Sequence, residues 1–593
     1  MAPKIYTSPY PSQPLYNHSV FSHLFFSDPK YPNKVGGYPG SSPAFIDAPT
    51  GTSISRSQLK NFALSLAYGI KKTFSAKRGD TILVFSQNSL TWPVVVFGAV
   101  AAGLRCTLAN SAYNARELAF QYTDSGANLI FASEEGVATA RETLKSLGLS
   151  ADDANKRIVV MATGLGWAGG PSTPITPASK GLLTVSDLLG LGSIREEEKF
   201  EGKLAHETVY LCYSSGTTGK PKGVETTHRN ICSVLECVRP VFPEIGSNDT
   251  MLGVLPFYHI YGAVKLLHFP FQCNTPVAVM PRFDPEQFCA NVERYNATVA
   301  LIVPPVLVVL ARHPAVDKYD MSSMQTLLSG AAPLGAALTK QVQSRLITKR
   351  KGKGPVYILQ GYGLTETSPT THIVPIEGAE TKLGSIGVLL PGLEARLVVD
   401  GDGNGDIDAA EGQAGEIWIR GPTVMKGYLN NPAATKEAIT PDGWFKTGDI
   451  ATRDADGYYR VVDRRKELIK YKGFQVPPAE LESVLLTHPE IADVAVIGVD
   501  SAKEATELPR AYVVHARPEE MKTEAQRIAF SEDVKQWIQS KVARHKYLRG
   551  GVVVIDIIPK SAAGKILRRE LRDKAKEELA GRDPADNNIK AKL

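Results

Sequence analysis

The chain has 593 residues, 43% hydrophobic and 22% charged, close enough to globular usage to exclude a disordered protein and long enough for more than one domain. Its 67 basic and 61 acidic residues leave a net charge of +6, too weak over so large a surface to mark a nucleic-acid-binding or membrane-surface protein. Six scattered cysteines (106, 212, 232, 237, 273, 289) exclude a disulfide scaffold and fit a reducing compartment; only Cys232 and Cys237 lie close together, with no second pair at zinc-ligand spacing.

The N-terminal stretch MAPKIYTSPYPSQPLYNHSVF lacks the basic-then-apolar layout of a secretory signal and reads as a Pro- and Tyr-containing arm laid over a surface. No apolar run reaches the ~18 residues that a spanning helix needs. Residues 92–103, and 299–311 with Pro304-Pro305 in its middle, read instead as buried core. From about residue 52 to residue 395, short β-branched runs alternate with helical patterns, as at 80–86, 127–132, 297–303 and 356–359. Continuous apolar strands separated by helices predict an α/β fold with parallel-rich sheets covered on both faces. Between about 385 and 463 the pattern changes to glycine-punctuated strands, Gly415-Glu-Ile-Trp-Ile-Arg-Gly421 and Gly457-Tyr-Tyr-Arg-Val-Val-Asp463, predicting a small antiparallel barrel-like unit.

From Arg464 onward a compact α+β piece is expected. Pro477-Pro478 opens a helix, strands follow at 492–499 and 510–516, then a helix at 523–541, a strand at 551–558 and a closing charged helix at 566–579. The expected organisation is a large N-terminal domain, 1–463, and a smaller mobile C-terminal domain, 464–593.

The strongest local signal is Tyr213-Ser-Ser-Gly-Thr-Thr-Gly-Lys-Pro-Lys-Gly223, between a strand-like run at 208–212 and a helical pattern at 227–238. Its glycines, hydroxyls and lysines offer close backbone approach, many donors and positive charge, which suits a polyphosphate. It is not a Walker A loop, because the glycine–lysine spacing differs and no Ser or Thr follows the lysine.

This segment resembles the signature loop of the acyl-adenylate-forming superfamily, which includes 4-coumarate–CoA ligases, other acyl- and aryl-CoA ligases, beetle luciferases and the adenylation domains of peptide synthetases. The resemblance covers about residues 45–575 and continues through Gly361-Tyr-Gly-Leu-Thr-Glu366, Thr447-Gly-Asp-Ile450, Asp463-Arg-Arg-Lys-Glu-Leu-Ile-Lys-Tyr-Lys-Gly-Phe-Gln-Val476 and Pro559-Lys-Ser-Ala-Ala-Gly-Lys565, in the expected order. It implies ATP, Mg²⁺ and coenzyme A: a carboxylate attacks the α-phosphate, pyrophosphate leaves, and the acyl-AMP is attacked by the CoA thiol.

What the resemblance implies for single residues follows from the same motifs. Ser214, Ser215, Gly216, Thr217, Thr218, Gly219, Lys220 and Lys222 would hold the β- and γ-phosphates, and Gly361 and Tyr362 the adenine. Thr365 would bond the α-phosphate, Glu366 would hold Mg²⁺, and Asp449 with Arg464 would bind the ribose. Lys565 would neutralise charge on the α-phosphate and the attacking carboxylate. His259, in Pro256-Phe-Tyr-His-Ile-Tyr-Gly262, would sit beside the reacting carboxylate, with Tyr261, Gly330, Ala331 and Ala332 lining the acid pocket. Two departures, Trp418 where the resembled ligases carry cysteine and Ala263-Val264-Lys265 after Gly262, argue against a strictly hydroxycinnamate substrate. Lys466 matches a hinge, so that Lys565 retreats after adenylation and Lys470, Gly473 and Gln475 approach the pantetheine.

Asp400 to Glu411 matches the calcium-loop pattern D-x-D-x-N-G-x₅-E, but its flanks read as strands rather than helices, so an acidic turn is expected. Ala591-Lys592-Leu593 is a conservative variant of the Ser-Lys-Leu peroxisomal address, implying a peroxisomal import receptor as partner and otherwise a cytoplasmic location. The expected function is ATP-dependent ligation of an aryl, arylalkenoic or fatty acid to CoA, supported by the lack of a carrier-type Gly-Gly-x-Ser segment after Lys565. The alternative is acyl adenylation with another acceptor, such as a luciferase-like oxygenase.

Overall fold

The computed structural model describes residues 3–586 except 162–163, 174–175, 215–220, 351–353, 400–404, 406, 473 and 562–563. Two hydrophobic cores organise the described residues. The larger gathers side chains from Val20 to Tyr459, and the other runs from Ile469 to Ala575. Neither shares a buried apolar residue with the other, which is the physical content of a two-domain architecture.

Two parallel-rich sheets build the large domain. One has eight strands in the order Leu183–Thr184, Ile158–Met161, Ala127–Ser133, Thr81–Phe85, Arg105–Ala109, Thr208–Ser214, Lys222–Thr227 and Gly427–Tyr428. Its pairings are parallel as far as Thr208–Ser214, and the last two strands run antiparallel. The other sheet has nine, in the order Val388–Leu389, Thr370–Ile373, Tyr357–Gly363, Thr326–Ser329, Val299–Ile302, Met251–Gly253, Val277–Val279, Pro43–Asp47 and Ser53–Ser55. Both ends of it are antiparallel and its centre is parallel. Fully buried strands such as Thr81–Phe85 explain why their sequences are continuously apolar rather than alternating.

The helix Thr91–Ala101 is buried at every residue, so the apolar run around Trp92 is core. The run at 299–311 divides into the strand Val299–Ile302 and the helix Pro304–Arg312, with prolines in the first turn, where no N–H partner is lost. No helix among the described residues is long and apolar enough to cross a membrane.

The predicted antiparallel unit is a five-stranded sheet, Tyr6–Thr7, Glu394–Val398, Gly415–Arg420, Phe445–Arg453 and Tyr459–Arg464. Its first strand comes from the N-terminal arm, which pairs Tyr6 with Ala395 and Thr7 with Glu394. The small domain holds the hairpin Ile469–Tyr471/Phe474–Val476 and the sheet Ile491–Ser501, Thr506–His515 and Val552–Val554. Helices Pro478–Leu485, Glu524–Gln539 and Arg568–Glu578 complete it.

One expectation changes. The glycine-rich loop does not pass from a strand into a helix. Lys222–Thr227 is a strand antiparallel to Thr208–Ser214, and the helix His228–Val238 starts only after it. The loop is therefore flanked on both sides by antiparallel strands, and its residues 215–220 lie outside the described residues. Thr226 and Thr227, β-branched at the end of that strand, and the Thr227 cap of the following helix account for the difference.

Candidate active site

The C-terminal ends of four parallel strands, Arg105–Ala109, Thr208–Ser214, Thr326–Ser329 and Tyr357–Gly363, converge on one cavity of about 650 Å³. This is where open α/β sheets bind ligands, because strand ends and turns leave polar groups uncommitted there. The cavity lining has a polar, cationic part, with Lys222, Thr365, Glu366, Arg464, Lys466 and Lys565, and an apolar part that includes Phe242, Phe269, Leu301 and Leu328.

At the polar end, the Tyr362 hydroxyl donates a 2.6 Å hydrogen bond to Asp449 Oδ2, and Arg464 Nε donates to Asp449 Oδ1 at 3.1 Å. Asp449 and Arg464 are also directly opposite in adjoining strands, which fixes the pair. Burial, then the Asp449 charge, raise the Tyr362 phenol well above its usual range, while Asp449 raises Arg464. Tyr362 is thus a neutral phenol beside a carboxylate with acceptor capacity to spare, an arrangement suited to a nucleoside.

Thr365 and Glu366 sit on a single 3₁₀ turn, Thr365–Thr367, after the Tyr357–Gly363 strand. Gly363 permits that turn, since a Cβ there would lie 1.8 Å from the Pro369 carbonyl oxygen. The Glu366 carboxylate is 8% exposed, lines the cavity and accepts from the Tyr428 hydroxyl at 3.0 Å. Tyr428 in turn carries the Lys222 ammonium over its ring at 4.6 Å. A carboxylate with hard oxygen donors, facing a phosphate-sized cationic space, fits Mg²⁺.

Ser214 and Lys222 are paired at the base of the hairpin and both line the cavity. Ser215, Gly216, Thr217, Thr218, Gly219 and Lys220 lie outside the described residues.

Lys565 lines the cavity from the small domain. Its backbone N–H donates to Ser561 Oγ and its carbonyl accepts from Ser561 N–H, closing a tight loop. Burial, then the Arg464 charge, push its ammonium down to about 8. His259 faces the same space. Its Nδ1 accepts from the Tyr261 N–H at 3.2 Å, which leaves the proton on Nε2 in the neutral ring. Burial, with help from Lys565, pushes it down to about 4.

Tyr261 lies against Gly330: a Cβ at 330 would meet the ring at 3.1 Å. Gly330 and Ala331 line the cavity and Ala332 is not among its lining residues. Lys470 and Gln475 pair across the small hairpin, are exposed, and are not among the lining residues in this pose; Gly473 lies outside the described residues. Trp418 does not itself line the cavity: its side chain packs with Trp444 and Val398, between Arg396 and Lys446, and of these Lys446 lines the cavity. The flanks of the 400–411 turn are strands, as expected, and Asp408 is bonded by Arg396 and the Lys4 N–H; residues 400–404 and 406 lie outside the described residues.

Sequence reasoning missed Tyr428, which binds Glu366, and Tyr213, whose hydroxyl donates to Asp124 at 2.6 Å in the cavity wall. It also gave Lys265 no role in the site. No periodicity marks these residues. Tyr428 sits on a two-residue edge strand, and a lysine among apolar neighbours reads as solvated.

The profile of the AMP-binding enzyme family matches residues 32–429, and that of the AMP-binding enzyme C-terminal domain matches 480–565. A probable 4-coumarate–CoA ligase of Dictyostelium discoideum is 36% identical over 509 residues, covering 86% of this chain and 88% of that one. Among solved structures, ATP-bound MatB from Rhodopseudomonas palustris superposes with a TM-score of 0.75 at 25% identity, over 94% of this chain and 99% of that one. The o-succinylbenzoate CoA synthetase of Bacillus subtilis, complexed with its acyl-adenylate intermediate, gives a TM-score of 0.71 at 25% identity, over 90% and 96%.

Proposed function

This chain belongs to the AMP-binding enzyme family, and from that membership we propose that it activates an aryl, arylalkenoic or fatty acid as acyl-AMP and passes the acyl group to CoA. It is an AMP-forming acyl/aryl-CoA ligase that uses ATP and Mg²⁺. The observation that carries the residue-level reading is the meeting, in one cavity, of Thr365, Glu366 and Lys565, beside the Tyr362–Asp449–Arg464 group, with an apolar pocket behind His259 and Tyr261.

In this reading Asp449 and Arg464 hold the ribose, and Gly361 and Tyr362 the adenine. Thr365 bonds the α-phosphate, and the 214–222 segment holds the departing phosphates. Glu366 would hold Mg²⁺, which would supply charge neutralisation at the phosphates. Lys565, charged below about 8, steadies the negative charge gathered between carboxylate and α-phosphate. Neutral His259 presents Nε2–H toward the reacting carboxylate without adding a competing cation.

The mobile unit begins at Arg464 with Lys466 as its hinge. Swinging it withdraws Lys565 and brings Lys470, Gly473 and Gln475 toward the thiol. Support comes from the separate cores on either side of the junction and the lining position of Lys466. Mass spectrometry of products from a panel of cinnamic, benzoic, phenylacetic and medium- to long-chain acids should show acyl-CoA when CoA is present and bound acyl-AMP when it is not. Oxygenated products formed without CoA would favour the luciferase-like alternative instead.

The tripeptide Ala591-Lys592-Leu593 supports recognition by a peroxisomal import receptor; it lies outside the described residues. A reporter ending in these residues should enter peroxisomes and stay in the cytosol after Leu593→Ser. Identical distribution of the two reporters would contradict this.

A further inference from the structure

Lys265 is a buried amine in the lining of the cavity. It is 5% exposed, and its Nζ has no hydrogen-bond partner among the described residues. It belongs to the π-helical turn Ala263–His268, and Tyr261, Lys265 and Phe269, four residues apart, all line the cavity. That spacing puts the three on one face of the helical segment. Lys265 follows His259 by six residues and lines the same cavity.

Among the described residues no carboxylate pairs with the Lys265 ammonium. The thiols of Cys237 and Cys273 are the groups whose charge would act on it, and burial pushes both up to about 12, so both are neutral. The Phe269 ring, 5.5 Å from Nζ, offers only a weak contact. A buried amine without a partner is costly unless a ligand completes it. Burial accordingly pushes Lys265 down to about 7, and an anion bound beside it would restore its charge.

We propose that Lys265 receives an anionic oxygen group at the far end of the acid, so that the preferred substrates are bifunctional, with one carboxylate delivered to the nucleotide and a second carboxylate held by Lys265. This rests on reading the cavity as the acid site. It gives the pocket a polarity the rest of its lining lacks, since Phe242, Phe269, Leu301 and Leu328 accept the intervening skeleton.

The test compares acids matched in length that end in carboxylate or in methyl, such as 4-carboxycinnamate with 4-methylcinnamate, and a dicarboxylic acid with its fatty counterpart. Acid-dependent pyrophosphate exchange into ATP is read for the wild-type enzyme and for Lys265→Met, a variant of similar length without the charge. The wild type should favour the carboxylate member by ~10²-fold or more in kcat/KM, since a buried polar group left unpaired discriminates strongly. Lys265→Met should lose that preference and gain on the methyl member. A wild-type enzyme that uses the methyl acids as well as the carboxylate ones overturns the proposal, whether or not the variant folds. A preference unchanged in a folded Lys265→Met overturns it too. Absence of exchange with every acid would overturn the underlying acid-site reading along with it.

Discussion

The hydroxyl of Tyr362 and the carboxylate of Asp449 are 2.6 Å apart, joining two motifs 87 residues distant in sequence into one nucleotide-facing unit. Arg464 holds the other oxygen of the same carboxylate. Removing Asp449 therefore orphans two half-buried donors as well as the ligand contact. Asp449→Ala should raise KM for ATP by ~10²-fold, about 3 kcal/mol, the low end for a broken ion pair because Arg464 is partly solvated. Tyr362→Phe, which loses one hydrogen bond, should cost only ~1 kcal/mol. Steady-state kinetics in ATP distinguishes the two; equal effects would show that the pair is not the nucleotide clamp.

The Lys565 ammonium is charged below about 8 and neutral above it, because burial and Arg464 disfavour the charge. If it supports adenylation, kcat/KM for ATP should decline as pH rises through about 8 in the free enzyme. Lys565→Ala should abolish that limb and lower acyl-AMP formation ~10²–10³-fold, while transfer from preformed acyl-AMP to CoA continues. His259, pushed down to about 4, should contribute no limb between pH 5 and 8. A titration near 6.5 that vanishes in His259→Asn would refute its neutral role.

Tyr428 touches Glu366 and stacks under Lys222. Tyr428→Phe should weaken Mg²⁺-ATP binding by a few-fold, the value of one hydrogen bond at ~1 kcal/mol. Glu366→Gln should shift the Mg²⁺ requirement to much higher concentrations. Activity titrated against Mg²⁺ checks both.

Gly262 lies in the helical segment that follows His259 and packs directly on the Pro256 carbonyl: a Cβ there would come within 2.1 Å of that oxygen. Gly262→Ala should cost ~1–3 kcal/mol through the forced backbone shift, read as a lower melting temperature. An unchanged melting temperature would mean that the segment yields more freely than the packing indicates.

Elements whose apolar pattern is continuous were legible in the sequence: Thr81–Phe85, Ala127–Ser133 and the helices of the small domain stand where hydrophobic periodicity puts them. Motif residues that meet in space, such as Tyr362, Asp449 and Lys565, were legible as a set only through the resemblance of their motifs to those of the acyl-adenylate-forming superfamily. What the sequence concealed was orientation. Register sets Trp418 behind the cavity-lining Lys446 rather than in the lining itself, and the Lys222–Thr227 strand hides behind a composition that reads as a loop. Lys265 was hidden for the opposite reason: lysine is presumed solvated, and only packing reveals one that is not.

Reversible formation of an acyl-AMP is the step on which everything else depends. Labelled pyrophosphate, supplied with ATP, Mg²⁺ and an acid but no CoA, should appear in ATP only when the acid is present. If no acid of the panel carried label into ATP while the enzyme still made acyl-CoA, activation would not proceed through the adenylate, and the roles given to Lys565, Thr365 and Glu366 would fall with it.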